Sequence, residues 1–335
     1  MARKALTPAC LTIVKACQQV FLEFATQKIR LAVSGGADSM SLLGSFAYLV
    51  ERSQAASSNH PEIEVMVVDH QLQPGSAEVA KAVVSCAEKF GFQSRAVQVE
   101  VQRTKDGLEA DARKARYLAL TKSDEVFQPA ALVLAHTLDD QAESVLLGLG
   151  RGSGVRSLAA MPMRWGEAPA IVRPLLAVGR ETTRQACKDW QLNIWDDPMN
   201  DSAEFTRVKM RQTALPALAE IFPAVKQSLS RTAALARLDA DYLDELAAAQ
   251  LAKIQISGGE SEPAQLGAKK LAALAPALQG RVVKQWLEQC AVADLSYDHI
   301  SAVLTLVNHW HGQKYIAVPS GKVARERGKL IFSKC

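Results

Sequence analysis

From residue 29 to about 195, short apolar runs alternate with stretches whose apolar positions recur at helical spacing. KIRLAVS, IEVMVVD, FQSRAVQVEV and ALVLA read as strands, and segments at about 38–52, 76–91, 108–124 and 138–149 read as helices. Strands that are apolar throughout must be covered on both faces, so the pattern predicts an α/β domain with a parallel sheet and helices on both faces. Ligands of such sheets bind at the carboxyl ends of the strands. The chemistry-bearing residues collect there: SGGADS follows the first strand, Asp69 and His70 end the second, and His136 ends the fourth.

Near Pro216 the pattern changes to one long helical stretch, FPAVKQSLSRTAALARLDADYLDELAAAQLAKI, which ISGGESEPAQLG breaks as a linker. A helical block at about 268–310 and three short strands, KYIAVP, KVARER and KLIFS, follow. The expected organisation is a catalytic domain over 1–216, a helical connector over 217–253 and a small α+β domain over 254–335. MARKALTPACLTIVKACQQV reads as an amphipathic helix, because polar residues interrupt it too often for the apolar region of a signal peptide.

Composition narrows this picture a little. A chain of 335 residues with 48% hydrophobic positions can bury two cores. No apolar run is long enough to span a bilayer. The six cysteines, Cys10, Cys17, Cys86, Cys187, Cys290 and Cys335, form no Cys-x-x-Cys pair, so neither a zinc ribbon nor a disulfide framework is signalled. A cytoplasmic protein with inert thiols and no membrane partner is expected. The net charge of +4 does not by itself indicate a polyanionic partner. Beyond Tyr297, however, Lys314, Lys322, Arg325, Arg327, Lys329 and Lys334 face only Asp298 and Glu326. Such a tail suits RNA, or is a solvated basic face.

The candidate chemistry begins at Ser34. Gly35 and Gly36 let backbone approach an anion closely, and Ala37, Asp38 and Ser39 open a helix whose free N–H groups and dipole favour phosphate. Ser34 and Ser39 add hydroxyl donors. An acid beside polyphosphate makes sense as a magnesium ligand, which assigns Asp38 to the metal. Alone, the segment could equally be a tight turn and a helix cap. No Walker sequence occurs, and the glycine run GLGRGSG at 148–154 follows a helix, which excludes a dinucleotide fingerprint.

If a helix starts near Thr137, then His136, Asp140 and Glu143 stand at i, i+4 and i+7 on one face. An imidazole and two carboxylates there could bind magnesium, hold an ammonium group and accept its proton. Glu109, Arg113 and Arg116 share a face by the same spacing, and Arg207 and Arg211 stand one turn apart, where they could meet phosphate.

SGGADS is similar to the SGGxDS signature of the PP-loop ATP pyrophosphatases (adenine nucleotide alpha hydrolase-like), which split ATP between the α- and β-phosphates to adenylate a substrate. Within them, AHTLDDQAESVLLGLGRGSGVRSLAAM resembles the AHHxDDQxET…RGSG…L motif of the tRNA(Ile)-lysidine synthetase family. GLEADARKARYLAL and DDPMNDSAEFTRVKMR resemble two further blocks of that family, the latter matching at Asp197, Asn200, Asp201, Phe205, Arg207 and Arg211. The departures are Asp69-His70-Gln71 where HHG is usual, Val208 where asparagine is common, and Ser144 for threonine. The resemblance is strong over roughly 29–216 and weaker beyond, where the C-terminal stretches look like a tRNA-contacting domain of a short family form.

The resemblance implies conversion of the wobble cytidine in the CAU anticodon of an isoleucine tRNA to lysidine, with ATP and Mg2+ as cofactors and L-lysine as second substrate. It assigns ATP to residues Ser34 to Ser39, catalysis to Asp38, His136, Asp140, Glu143 and Arg207, and substrate or tRNA contacts to His70, Arg113, Arg116 and Arg211. Either Asp140 or Glu143 would activate lysine. Assembly stays open, a homodimer included. The rivals are a tRNA thiolase using the same adenylation, with Cys187 as a lone sulfur carrier, an amide synthetase of the GMP or NAD type, disfavoured because no glutaminase portion accompanies the loop, and a non-catalytic tRNA-binding PP-loop protein.

Overall fold

The apolar run ahead of the glycines is central to a sheet. The computed structural model describes residues 5–71, 73, 75–101, 104, 107–152, 154–196, 206–256 and 265–334. In chain order it forms α1 (Pro8–Glu23), β1 (Lys28–Ala32), α2 (Ala37–Ala55), β2 (Glu62–Asp69), α3 (Ser76–Lys89), β3 (Gln93–Gln98), α4 (Leu108–Thr121) and β4 (Ala131–Val133). Then come α5 (Leu138–Gly150), α6 (Val155–Leu158), β5 (Arg164–Trp165), β6 (Ala170–Val172), α7 (Arg180–Asp189), α8 (Thr206–Lys209), a π-helical turn at Met210–Ala214, α9 (Leu215–Ile221) and α10 (Val225–Ile254). The four expected strands and the helices between them are present. Asp197, Asn200, Asp201 and Phe205 lie outside the described residues, as does the Glu109 side chain.

The first sheet has the order β3-β2-β1-β4-β6-β5, parallel except for the β5–β6 pair. The short strands β5 and β6 were not expected: two and three residues are too few to show a period. Alternation along each strand separates two cores. Ile29, Leu31, Val65, Val67 and Val133 pack with α1, α2 and α7, whereas Met66, Leu132 and Leu134 pack with Leu120 of α4. Both faces are thus covered, as continuous apolar strands require. From β1 the chain steps outward to β3, then returns to place β4 on the other side of β1. The crevice at this reversal is where an α/β sheet binds its ligand.

One charge breaks the apolar pattern of β1. The Arg30 side chain is fully buried on the α4 face, where it pairs with Glu64, directly opposite it on β2, and donates to the carbonyls of Leu120 at 2.6 Å and Lys122 at 2.8 Å. Arg95 also pairs with Glu64, at 2.9 Å, so loss of Arg30 strips the two carbonyls of their donor and empties a buried site while Glu64 keeps one cation. Arg30→Ala is expected to lower the unfolding free energy by about 3 kcal/mol, read as a lower denaturant midpoint at unchanged slope.

Two compact units divide the chain, Met1–Leu147 with Ala160–Arg231, and Gly148–Ala159 with Thr232–Cys335. In the second, β7 (Gln255–Ile256), β8 (Gln265–Gly267), α11 (Ala268–Ala272), α12 (Pro276–Gln289), α13 (Tyr297–Asn308), β9 (Ile316–Val318), β10 (Gly321–Glu326) and β11 (Lys329–Lys334) follow α10. Its antiparallel sheet has the order β7-β8-β11-β10-β9 and packs Val323, Leu330 and Phe332 with Trp286, Leu287, Val303 and Leu306. The ends of the expected linker pair as β7 and β8; its middle, 257–264, is outside the described residues. The glycine run serves this unit's packing, since a Cβ on Gly148 would lie 2.4 Å from the Ser157 carbonyl oxygen. Arg156 on α6 bridges Asp241 and Asp244 of α10 at 2.6 Å each. Among the described residues, no helix is long and apolar enough to cross a membrane.

Candidate active site

The turn after β1 is built around two conformational requirements. Gly35 has φ +90°, and a Cβ there would meet Val79 Cγ1 at 2.9 Å, so no other residue fits without displacement. Gly36 caps α2 with no side chain, which leaves the first-turn N–H groups without a side-chain acceptor. An anion can take that place. Ser39 is buried and closes the loop from inside: its hydroxyl donates to the Gly36 carbonyl at 3.0 Å and accepts from the Ser34 N–H at 3.1 Å. Ser34 is exposed and Ala37 is buried. Of the two serines assigned to phosphate by sequence, Ser34 is exposed with its hydroxyl 3.3 Å from that of Ser39, and Ser39 shapes the loop.

Asp38, in the first turn of α2, accepts from Thr183 Oγ1 at 2.5 Å and Arg180 Nε at 3.2 Å. Burial pushes its pKa up; Thr183 and Arg180 pull it down less, and Asp140 adds to the rise. Such a carboxylate gains from another cation. Magnesium is commonly held by one or two carboxylates plus substrate phosphates, and Asp38 beside the open amides of α2 meets that description.

Helix α5 starts at Leu138, so His136 stands before it, in the loop after β4. The reason is a cap. Asp140 Oδ2 accepts from the Thr137 N–H at 2.8 Å while Thr137 Oγ1 accepts from the Asp140 N–H at 3.5 Å, the reciprocal arrangement of a capping box, and the Thr137 hydroxyl also donates to Asp140 Oδ2 at 2.9 Å. Asp140 Oδ1 accepts from Arg180 Nη2 at 2.5 Å. Burial pushes the Asp140 pKa up, but Arg180, His136 and Thr137 outweigh it and hold the carboxyl below its ordinary range. Asp38 and Asp140 are therefore driven in opposite directions. Glu143, one turn further on, has no exposed side-chain surface and is bridged by Arg211 Nε at 2.8 Å and Arg180 Nη1 at 3.3 Å. Asp139 holds Lys226 at 2.6 Å and accepts from the Arg180 N–H at 3.0 Å.

On the other side lies a cationic cluster. Arg113 and Arg116 of α4 stand 5.0 and 5.9 Å from the Tyr117 ring, and the Tyr117 hydroxyl accepts from Arg113 at 3.4 Å and Arg173 at 3.5 Å. Arg113 and Arg116 form no ion pair among the described residues. Burial, then Arg113, lowers the Arg116 pKa, with Arg207 adding to the fall and Tyr117 and Asp140 opposing it. Arg207 lies near Arg116, and Arg211 pairs with Glu143.

His70 and His136 each have a buried Nδ1 without a partner. Burial lowers both pKa values, aided by Arg116 at His70. For His136, burial with Arg173, Arg116 and Arg113 outweighs Asp140 and brings it to about 3, so the imidazole is neutral at physiological pH. In the unfolded chain it titrates near 6.5, so the folded state binds fewer protons between those values. Stability is therefore complete above about pH 6.5 and falls as pH drops towards 3. Melts between about pH 7 and 5 should show Tm falling on acidification, less steeply in His136→Gln.

Sequence reasoning missed Arg180 and Thr183, which tie the phosphate loop to the carboxylates of α5. No motif marks them; the available signal was a basic residue at the first position of a helix following the Val172 strand. Among the described residues there is no group of three His, Cys, Asp or Glu side chains arranged to hold a metal ion.

The family model for the PP-loop domain matches residues 10–218, and that for the TilS substrate binding domain matches 266–331. The chain is 40% identical to a tRNA(Ile)-lysidine synthase of Salinispora tropica, over 97% of each chain. It is 38% identical to that of Rhodococcus erythropolis over 97% of this chain and 96% of the other. It is 40% identical to that of Streptomyces coelicolor over 90% and 83%. Among solved structures, a U34-tRNA thiolase from Methanococcus maripaludis has a TM-score of 0.54 at 15% identity, covering 67% of this chain and 78% of that one, which is a likeness of fold.

Proposed function

Since the chain belongs to the tRNA(Ile)-lysidine synthase family and is thus an ATP-using ligase that modifies tRNA, we propose that it adenylates the wobble cytidine of a CAU-anticodon isoleucine tRNA and then joins lysine to it. The observation that carries this reading is the continuous network from Asp38 through Arg180 to Asp140 and Glu143, which puts acids suited to an ammonium group beside amides suited to phosphate.

The cytidine C2 oxygen attacks the ATP α-phosphate, and the bond to the β-phosphate breaks to release pyrophosphate. The open amides of α2 hold the pyrophosphate portion, with Ser34 at the mouth. Asp38 would hold magnesium, which neutralises charge on the phosphates when bound. Arg113, Arg116 and Arg207 supply positive charge for the α-phosphate and the tRNA backbone. Adenylation turns a poor leaving oxygen into a phosphate ester.

Lysine then binds through Asp140 and Glu143. Its ε-ammonium, with an ordinary pKa of about 10.4, must lose a proton before attack. Asp140 is engaged by Thr137 and held ionised, which makes it a poor base; Glu143 is assigned the proton. The free amine attacks C2, the C2–oxygen bond breaks, and AMP leaves. Neutral His136 offers its free Nδ1 to the bound base. The second unit, with its basic strands, is assigned the tRNA body, where binding should weaken steeply with salt.

A thiolase would need a reactive thiol. Cys187 is buried, donates to the Ala37 carbonyl at 3.2 Å and has its pKa pushed by burial up to about 12, which leaves it inert. The deciding experiment incubates the protein with ATP, labelled lysine and an unmodified CAU-anticodon isoleucine transcript. Label on the RNA is expected. Label on no tRNA, with a sulfur donor working instead, would replace this reading by the thiolase; no pyrophosphate release at all would leave only a binding protein.

A further inference from the structure

Arg180 extends from the first turn of α7, and its three guanidinium nitrogens each reach a different carboxylate: Nε to Asp38 at 3.2 Å, Nη2 to Asp140 at 2.5 Å, Nη1 to Glu143 at 3.3 Å. A planar fork can do this; a lysine ammonium could not reach all three with the same fixed geometry. The side chain is about a quarter exposed and, among the described residues, donates to no backbone carbonyl, so the three carboxylates hold its head in place.

Two of those carboxylates are the ones assigned to lysine, and the third is assigned to magnesium. Each is claimed twice. An ε-ammonium seated on Asp140 and Glu143 would lie against the guanidinium, and like charges in a partly buried site repel strongly. Yet Arg180 cannot simply be dispensed with. Among the described residues, Asp139 and Glu143 would keep Lys226 and Arg211 as ion-pair partners, while Asp38 and Asp140 would lose theirs. Next to Asp38 are the amides that would hold phosphate, so an anion bound there gives the guanidinium somewhere else to go.

We infer that Arg180 is a positioning residue that fills the lysine subsite until phosphate draws it away, making lysine binding conditional on ATP. Resting on the assignment of lysine to Asp140 and Glu143, this adds an order to the reaction: nucleotide first, amine second. The second step then cannot be blocked by lysine trapped beside an empty phosphate loop. Because coupling between two sites is reciprocal, lysine should tighten nucleotide binding by the same factor.

The test is titration of L-lysine into the full-length protein by calorimetry, with and without magnesium and α,β-methylene-ATP, whose α–β link cannot be split. The wild type should bind lysine about tenfold more tightly with the analogue. In Arg180→Gln the two affinities should converge to within about twofold, because lysine binding without nucleotide improves. Equal affinities in the wild type, or undiminished coupling in Arg180→Gln, would overturn the inference. Should that variant not fold by its melting curve, Arg180→Lys carries the same test, with reduced coupling expected and unchanged coupling counting against. Glu143→Gln separates the premise: if it leaves wild-type lysine affinity intact in the presence of the analogue, lysine sits elsewhere and the site assignment itself is wrong.

Discussion

Asp38→Asn is expected to lower ATP-dependent pyrophosphate release by about 10²–10³-fold, the scale on which a preorganised charge contributes to a transition state. Asparagine keeps the size of the side chain and can still accept from Thr183, so the turn should persist. What it loses is the charge that would hold magnesium against the phosphates. The effect on stability should be small and of the opposite sign. Folding raises the pKa of Asp38, so the folded state already disfavours its ionised form, and a neutral side chain relieves that cost. A coupled pyrophosphate assay beside a thermal melt would show activity and stability moving apart. Activity within tenfold of wild type would remove Asp38 from the chemistry.

Glu143→Gln should divide the reaction at a different point. Lysine-dependent AMP release should fall by about 10²–10⁴-fold, the range for loss of a positioned base, while pyrophosphate release persists. Some stability should go with it, because Arg180 and Arg211 lose the charge they share with a fully buried carboxylate. General damage to the site would depress both half-reactions together. Rapid-quench measurement of the two steps therefore distinguishes a missing base from a loosened site, and AMP release at the wild-type rate would assign the proton elsewhere.

The parts of this site legible in the sequence are those where local chemistry and local geometry coincide. Gly35 must be glycine because of its own φ, and Asp140 sits three residues from the Thr137 it caps, so both leave a signature within a few positions. Strands β1 to β4 declare themselves by runs rich in apolar residues, which around the three residues of β4 extend over ALVLA. Arg180 leaves no such trace: its partners are 142, 40 and 37 positions away, and VGRETT reads as an ordinary helix start. Strand β6 escaped because three residues carry no period. Its place beside β4 is decided by the sheet.

Arg30 bears on whether the ligand crevice forms in the right place at all. Parallel strands of similar apolar content could slide past one another by two residues and still bury greasy side chains on the correct faces. Such an offset would carry the turn at Ser34 about 6.6 Å along the strand axis relative to Met66 and Asp69, far beyond what phosphoryl transfer tolerates. With Glu64 directly opposite, a slipped pairing would strand the Arg30 guanidinium in hydrocarbon, since Glu64 stays with Arg95 of β3. The buried pair thus acts as a registration pin: it makes misaligned β1–β2 assemblies expensive during folding, and so fixes the address at which the nucleotide will later be found.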